Sequence, residues 1–322
     1  MKTVAITRPL LEDGFQSLRD AGYDVHMPAE RLPADALGEE RLIERAEGAD
    51  ALVPTVGDPV TARVMDAAPG LQIIAQYAVG YDNIALDAAR ERGVPVTHTP
   101  GVLTDATADF SVALLLAVAR RIPAADRFVR DGRFDRWETK TMLGTGLAGK
   151  TLGVVGFGRI GQAVARRALG FGMNIRYHQR SAANPTTERQ LSARRVSFEK
   201  LLAESDVVSV HCALNDESRH LFEAEAFAQM KPGALLVNTA RGAVIDGAAL
   251  VEALADGRIA GAGLDVFEEE PQVHPGLLES ERVVLAPHLG SATVEARTEM
   301  GRLCAASVRA ALEGEEIPHR VA

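Results

Sequence analysis

Cysteine is almost missing from this chain of 322 residues: there are two, Cys212 and Cys304, and neither sits in a C-x-x-C pattern. Two thiols so far apart give no disulfide framework and no cysteine-built zinc site, and they fit a reducing cytoplasm. Basic charge is not in excess either. The formal net charge is -9, which argues against DNA or an anionic membrane surface as the partner. Small anionic ligands stay open, because a local cluster of arginines works inside an acidic protein. Long apolar runs are lacking as well. The longest clean run, 112–119, lies between Asp109 and Arg120-Arg121 and is far short of a membrane span. Residues 1–7 are apolar only for the length of a strand, without the long apolar region and small-residue cleavage site of a signal peptide. A cytoplasmic protein with no metal, no nucleic acid and no membrane partner is expected.

The composition is that of an ordinary globular protein, 47% hydrophobic and 25% charged, and the length suits two domains. Short apolar runs at 4–7, 51–54, 71–76 and 94–97 predict strands. Amphipathic stretches at 9–21, 39–47, 61–67 and 86–92 predict helices between them. Such alternation implies parallel βαβ units. A long apolar helix follows from 105 to 121, continuing past Pro123 toward Arg130, and 134–150 reads as a loop. A second series of strands is expected at 151–156, 174–177, 207–211, 235–239, 261–265 and 283–286. Its helices are expected at 160–170, 198–203, 224–230, 247–255 and 292–312, with 181–192 as a polar surface loop.

One motif carries chemistry by itself: Gly156-Phe157-Gly158-Arg159-Ile160-Gly161, after an apolar strand and before an apolar helix. Gly156 allows the tight turn, Gly158 lets backbone approach a pyrophosphate, and Gly161 lets the helix pack close to the sheet. The helix N-terminus offers unpaired N–H groups and a positive partial charge. A dinucleotide cradle is the expectation. The next strand ends His178-Gln179-Arg180-Ser181, where an NAD binder carries an acid for the ribose. Gln179 does not repel a 2′-phosphate, Arg180 makes charge-assisted bonds to it, and Ser181 adds a donor. NADP is expected to be preferred, with NAD possible.

Further landmarks stand in a fixed order. They are Val79-Gly80-Tyr81-Asp82-Asn83, Thr99-Pro100 through Thr107-Ala108-Asp109, and Asn238-Thr239-Ala240-Arg241-Gly242. Then come Gly263-Leu264-Asp265 through Glu270-Pro271, and Pro287-His288-Leu289-Gly290-Ser291-Ala292-Thr293. With these the chain resembles the D-2-hydroxyacid dehydrogenases, and within them the glyoxylate/hydroxypyruvate reductases. The resemblance implies an α/β protein of two doubly wound parallel-sheet domains. One is a Rossmann-type cofactor domain, 99–288. The other is a flavodoxin-like substrate domain, discontinuous, 1–98 plus 289–322. It implies a homodimer joined through the cofactor domain, and a small 2-oxo or 2-hydroxy acid as substrate.

Reducing a 2-oxo acid needs a hydride at the carbonyl carbon, a proton at its oxygen and a cation for the carboxylate. Arg241, at a strand end, has the fork that matches a carboxylate. His288 is a proton donor suited to neutral pH. A carboxylate beside it favours imidazolium and orients the ring, the part the resemblance gives to Glu270. Without the motif, none of the eight histidines stands out. The resemblance also implies that Val79 and Gly80 meet the substrate carboxylate through backbone N–H groups, and that Thr107 meets a cofactor phosphate. It implies that Cys212, Ala213 and Leu214 line the adenine side. Thr239 and Ala240 adjoin the cofactor, Asp265 accepts from the nicotinamide amide, and Gly290 and Ser291 complete the nicotinamide wall. Trp137 lies where related reductases reach the partner's site. His98 and Cys212-Ala213 depart from the family's usual residues. Two alternatives stand beside this reading: a 3-phosphoglycerate or phosphonate-type dehydrogenase, and a dinucleotide-sensing corepressor of the same fold. The segment 76–81 supplies no extra cation for a phosphorylated substrate.

Overall fold

The computed structural model describes residues 1–30 and 38–322. They form two compact units, Met1–Leu103 with Ala292–Ala322, and Thr104–Ser291. These divisions fall a few residues beyond the expected 98/99 and 288/289.

The first unit holds five parallel strands: β1 (Thr3–Ile6), β2 (Asp24–His26), β3 (Ala51–Val53), β4 (Ile73–Ala75) and β5 (Val96–Thr97). Their order is β2-β1-β3-β4-β5, the flavodoxin-like winding. β2 was not expected. Only Val25 of its three residues is buried, so no apolar pattern marks it, and pairing with β1 alone makes it a strand. The stretch expected as one helix over 9–21 is a 3-10 turn, Glu12–Gly14, and a short helix, Gln16–Asp20. The C-terminal helix Val294–Glu313 also belongs to this unit, capped by the Thr293 hydroxyl at its start. It docks where Gly14 and Gly301 meet: a Cβ on Gly301 would lie 2.8 Å from the Gly14 Cα.

The second unit holds seven parallel strands: β6 (Thr151–Val155), β7 (Asn174–His178), β8 (Ala193–Arg195), β9 (Val207–Val210), β10 (Ala234–Asn238), β11 (Ile259–Leu264) and β12 (Val283–Leu285). The order β12-β11-β10-β9-β6-β7-β8 is the doubly wound dinucleotide-binding order extended by one strand, with its reversal point between β6 and β9. Side chains alternate across the sheet. Leu152 and Val154 of β6 enter one core cluster and Val155 the other, so both faces are covered.

Three expectations here are corrected. The helix expected to run through Pro123 is two helices, Thr104–Ala119 and Ile122–Arg130, broken at Arg121 with φ 54°. Proline tolerates only the first turn of a helix, so Pro123 starts the second one. The loop expected at 181–192 contains the helix Pro185–Gln190, capped by the Asn184 side chain, which accepts from the Thr186 N–H at 2.8 Å. β8 was missed because two of its three residues are arginines on a sheet edge. Among the described residues, no helix is long and apolar enough to cross a membrane, and no cluster of His, Cys, Asp and Glu is arranged to hold a metal.

Because backbone lies against backbone at Gly14 and Gly301, a larger side chain has nowhere to move. Gly301→Val is expected to cost about 2 kcal/mol or more, measured as a lowered midpoint in urea unfolding.

Candidate active site

β6 ends at Val155 and the chain turns at Gly156, where φ is +87°. A Cβ there would lie 2.5 Å from the Cys212 nitrogen and 2.6 Å from the His211 carbonyl carbon. The loop thus crosses directly over the end of β9, at the reversal point. At Gly161 a Cβ would lie 2.2 Å from the Gly156 oxygen, so the helix Arg159–Gly170 sits on the turn itself. Gly158 differs: no protein atom lies within 4 Å of its Cβ position. It is also the N-cap, and no side chain caps the helix. The chain's own packing does not require glycine there, while open space and unpaired N–H groups fit a pyrophosphate. Of the other loop residues, Phe157 is buried and stacks on Tyr177 with centroids 4.2 Å apart. Ile160 packs on the same core and Arg159 is exposed. The Phe157 carbonyl is itself taken by Gln162 Nε2 at 2.8 Å.

At the end of β7, Gln179 Oε1 accepts from the Phe157 N–H at 3.1 Å, which ties this strand end to the glycine loop. Arg180 and Ser181 are exposed, and Arg180 Nη1 lies 3.4 Å from Glu217 Oε2. Arg195, which sequence reading passed over, donates through Nε to the Gln179 carbonyl at 3.1 Å and through Nη2 to the Arg180 carbonyl. Cys212 and Leu214 pack partly against the core while Ala213 is exposed. Burial pushes the Cys212 thiol up to about 11, so it stays protonated.

Three further side chains gather where β10, β11 and β12 end. Asn238, fully buried, donates to the Arg241 carbonyl at 2.9 Å and accepts from the Ala240 N–H at 2.9 Å. That turn presents Arg241. Gly242 follows it in contact with the 267–268 peptide; a Cβ there would lie 1.9 Å from the Phe267 carbonyl carbon. The Arg241 turn and the Glu270 loop are thereby held together. Glu270 Oε1 accepts from the Phe267 N–H at 3.0 Å, and Oε2 pairs with His288 Nδ1 at 2.8 Å. Burial pushes the Glu270 carboxyl up, but His288, the Phe267 N–H and Arg241 together outweigh it and hold it below the ordinary value. Its neighbour Glu268 pairs instead with His220.

Asp265 is held firmly by its own chain. Its Oδ1 and Oδ2 accept from the Leu289 N–H at 2.6 Å and the Gly290 N–H at 2.7 Å, and its carbonyl accepts from the His288 N–H at 2.8 Å. Both oxygens thus hold the histidine loop. Burial raises its pKa despite these two donors and the His288 charge. Around it, a Cβ on Gly290 would lie 3.3 Å from Thr107 Cγ2. Ser111 Oγ joins the Thr107 carbonyl to the Thr239 hydroxyl, both at 2.7 Å. Ser291 is the last residue of this unit. Val79 and Gly80 lie in the first unit. There His98 Nδ1 lies 2.9 Å from the Val79 carbonyl and Gln76 Nε2 donates to the Gly80 carbonyl at 3.1 Å. His98 therefore secures this loop. Asn238, Ser111 and Arg195 were missed because each acts on backbone or on a neighbour, and only Asn238 stood inside a landmark.

A doubly wound unit with a glycine turn at its reversal point and an arginine, a histidine and a carboxylate along the same sheet edge is the outline of a dinucleotide-linked oxidoreductase. The profile described as "D-isomer specific 2-hydroxyacid dehydrogenase, NAD binding domain" matches residues 112–290. A glyoxylate reductase of Thermococcus litoralis is 50% identical, over 99% of this chain and 96% of that protein. The crystal structure of a glyoxylate reductase from Paecilomyes thermophila has a TM-score of 0.87 and 37% identity, covering 99% of this chain and 98% of that one. An NADPH-dependent glyoxylate/hydroxypyruvate reductase of Sinorhizobium meliloti, solved with NADP and malonate, has a TM-score of 0.86 and 32% identity, covering 100% of this chain and 97% of that one. The chain belongs to the D-isomer specific 2-hydroxyacid dehydrogenase family and is an oxidoreductase of the glyoxylate reductase type.

The glycines separate folding from ligand binding. Gly158→Ala is expected to leave the melting temperature within about two degrees while raising the dinucleotide Kd at least about tenfold, since its methyl enters only the cradle. Gly161→Ala is expected to lower the melting temperature itself. Thermal melts and calorimetric titration read the two effects apart.

Proposed function

We propose that this protein is an NADPH-preferring reductase of glyoxylate and hydroxypyruvate, yielding the 2-hydroxy acids. The observation that carries this reading is the joining of Arg241, Glu270 and His288 on the sheet edge that also bears the glycine cradle. The relative from Sinorhizobium meliloti, described as NADPH-dependent and bound with NADP, supports the cofactor preference. So do Arg180 and Ser181 at the end of β7, where no acid stands.

When bound, the reduced nicotinamide supplies the hydride. The chain's residues do the rest. The Arg241 guanidinium holds the substrate carboxylate and polarises the ketone. His288 Nδ1 is taken by Glu270, so Nε2 is the atom that gives its proton to the developing alkoxide. Glu270 keeps the ring in that orientation. In the cradle, Gly156, Gly158 and Gly161 shape the loop, Phe157 supports it by stacking on Tyr177, and Arg159 and Ile160 contribute the first N–H groups of the helix. Gln179, Arg180 and Ser181 meet the adenosine ribose. Cys212, Ala213 and Leu214 line the adenine, Thr107 meets a cofactor phosphate, Thr239 and Ala240 adjoin the cofactor, and Gly290 and Ser291 complete the nicotinamide wall. Asp265 accepts from the nicotinamide amide and, through the Leu289 and Gly290 N–H groups, also holds the histidine loop. Val79 and Gly80 are assigned to the substrate carboxylate on the family resemblance alone.

The segment after the break at Arg121 supports a homodimer. The helix Ile122–Arg130 buries none of its residues, and Phe134, Trp137 and Leu143 beyond it are 57%, 77% and 69% exposed. Apolar surface of that extent suits a second copy of the chain. We assign the protein to the cytoplasm, in keeping with two separate free thiols.

Initial rates with glyoxylate, hydroxypyruvate, pyruvate and phosphohydroxypyruvate, each with NADPH and NADH, test the reading. NADPH with either of the first two is expected to give the highest kcat/KM, and equal or higher values with NADH would reject the cofactor preference. Arg241→Lys is expected to lose about 100-fold or more in kcat/KM, because lysine lacks the fork. Glu270→Gln is expected to lose about 100-fold in kcat at pH 7. Its folded pKa lies below the ordinary 4.5, so the stability that Glu270 adds is present above that value and is lost as pH falls through the folded pKa. The melting-temperature gap between wild type and Glu270→Gln should therefore close on acidification below about pH 4.5.

A further inference from the structure

The ion pair between Arg180 and Glu217 joins the two walls of the adenosine end, the loop after β7 and the loop after β9. Both side chains are open to water, 83% and 71% exposed. An exposed pair of this kind adds little stability, yet the backbone on each side is braced. Asn215 Oδ1 accepts from the N–H groups of Glu217 at 3.0 Å and Ser218 at 3.1 Å. The Ser218 hydroxyl donates to the Ala213 carbonyl at 2.7 Å and accepts from the Asn215 N–H at 2.9 Å. On the other side, Arg195 holds the carbonyls of Gln179 and Arg180, and Gln179 is tied to the glycine loop. A carboxylate is thus mounted on a firm turn within reach of the one arginine that the NADPH reading assigns to the 2′-phosphate.

We propose that Glu217 is a specificity-determining residue that restrains selectivity for NADPH over NADH by competing with the 2′-phosphate for Arg180. The proposal rests on that reading for the place of the ribose, but it concerns the change in selectivity and not its starting value. The physics is a contest of anions for one guanidinium. A 2′-phosphate must displace the Glu217 carboxylate from Arg180, and it then sits beside a negative charge that the firm turn keeps near. A ribose 2′-hydroxyl does neither, so NADH binding does not sense Glu217. The cost is moderate because exposed charges interact through water and are screened by salt.

The test is calorimetric titration of the full-length wild type, Glu217→Gln, Arg180→Gln and the double variant with NADP and with NAD, at about 50 and 500 mM salt. Glu217→Gln is expected to tighten NADP about three- to tenfold at low salt, to leave the NAD affinity within about twofold, and to lose most of the gain at high salt. The gain should be smaller in the Arg180→Gln background. Four outcomes would overturn the proposal: an unchanged or weakened NADP affinity, an equal gain for both dinucleotides, a gain indifferent to salt, or one as large without Arg180. A wild type that binds NAD more tightly than NADP would reject the NADPH reading alone, since the shift produced by Glu217→Gln is read independently of where the ratio starts.

Discussion

The Asp265 carboxylate lies buried at the end of β11 and accepts from the N–H groups of Leu289 and Gly290, while its carbonyl accepts from the His288 N–H. Burying a carboxylate is costly unless donors meet it, and here two backbone donors do so without fully offsetting burial, as the raised pKa indicates. The return is geometric. His288 holds a left-handed backbone conformation, φ 56°, that a non-glycine residue adopts only under constraint. Held there, its ring reaches Glu270, and Glu270 in turn lies within the field of Arg241. The placing of His288 against Glu270 therefore depends on this clamp.

The site reconciles a chain of net charge -9 with an anionic substrate and an anionic cofactor. It does so locally. Glu270 is shared among His288, the Phe267 N–H and the positive charge of Arg241, while Glu268 pairs with His220. The end of β7 is arranged in the same way, with Arg180 set between an acid on one loop and a second arginine that grips its backbone.

Much of this was legible in the sequence because it was local. The β6 turn and its helix could be read because a tight turn, a close helix approach and an open cradle all demand glycine at fixed spacing. The landmark segments at Arg241, Glu270 and His288 were legible as a set, although none of these residues stood out alone. What was not legible was short or polar. β2 and β8 carry almost no apolar pattern, and the helix Pro185–Gln190 is short, polar and without a buried residue. Asn238, Ser111 and Arg195 serve through backbone partners that no spacing reveals.

The sequence by itself determined the class of fold and the residue types of the chemistry, since periodicity and glycine spacing follow from local backbone geometry. The tertiary structure decided the strand orders, the return of the last helix to the first unit and the pairing of Asp265 with the Leu289 and Gly290 N–H groups. It also brought Arg180 into contact with Glu217. Those are contacts between segments distant along the chain, chosen by packing and by the pairing of buried polar groups, and no local rule encodes them.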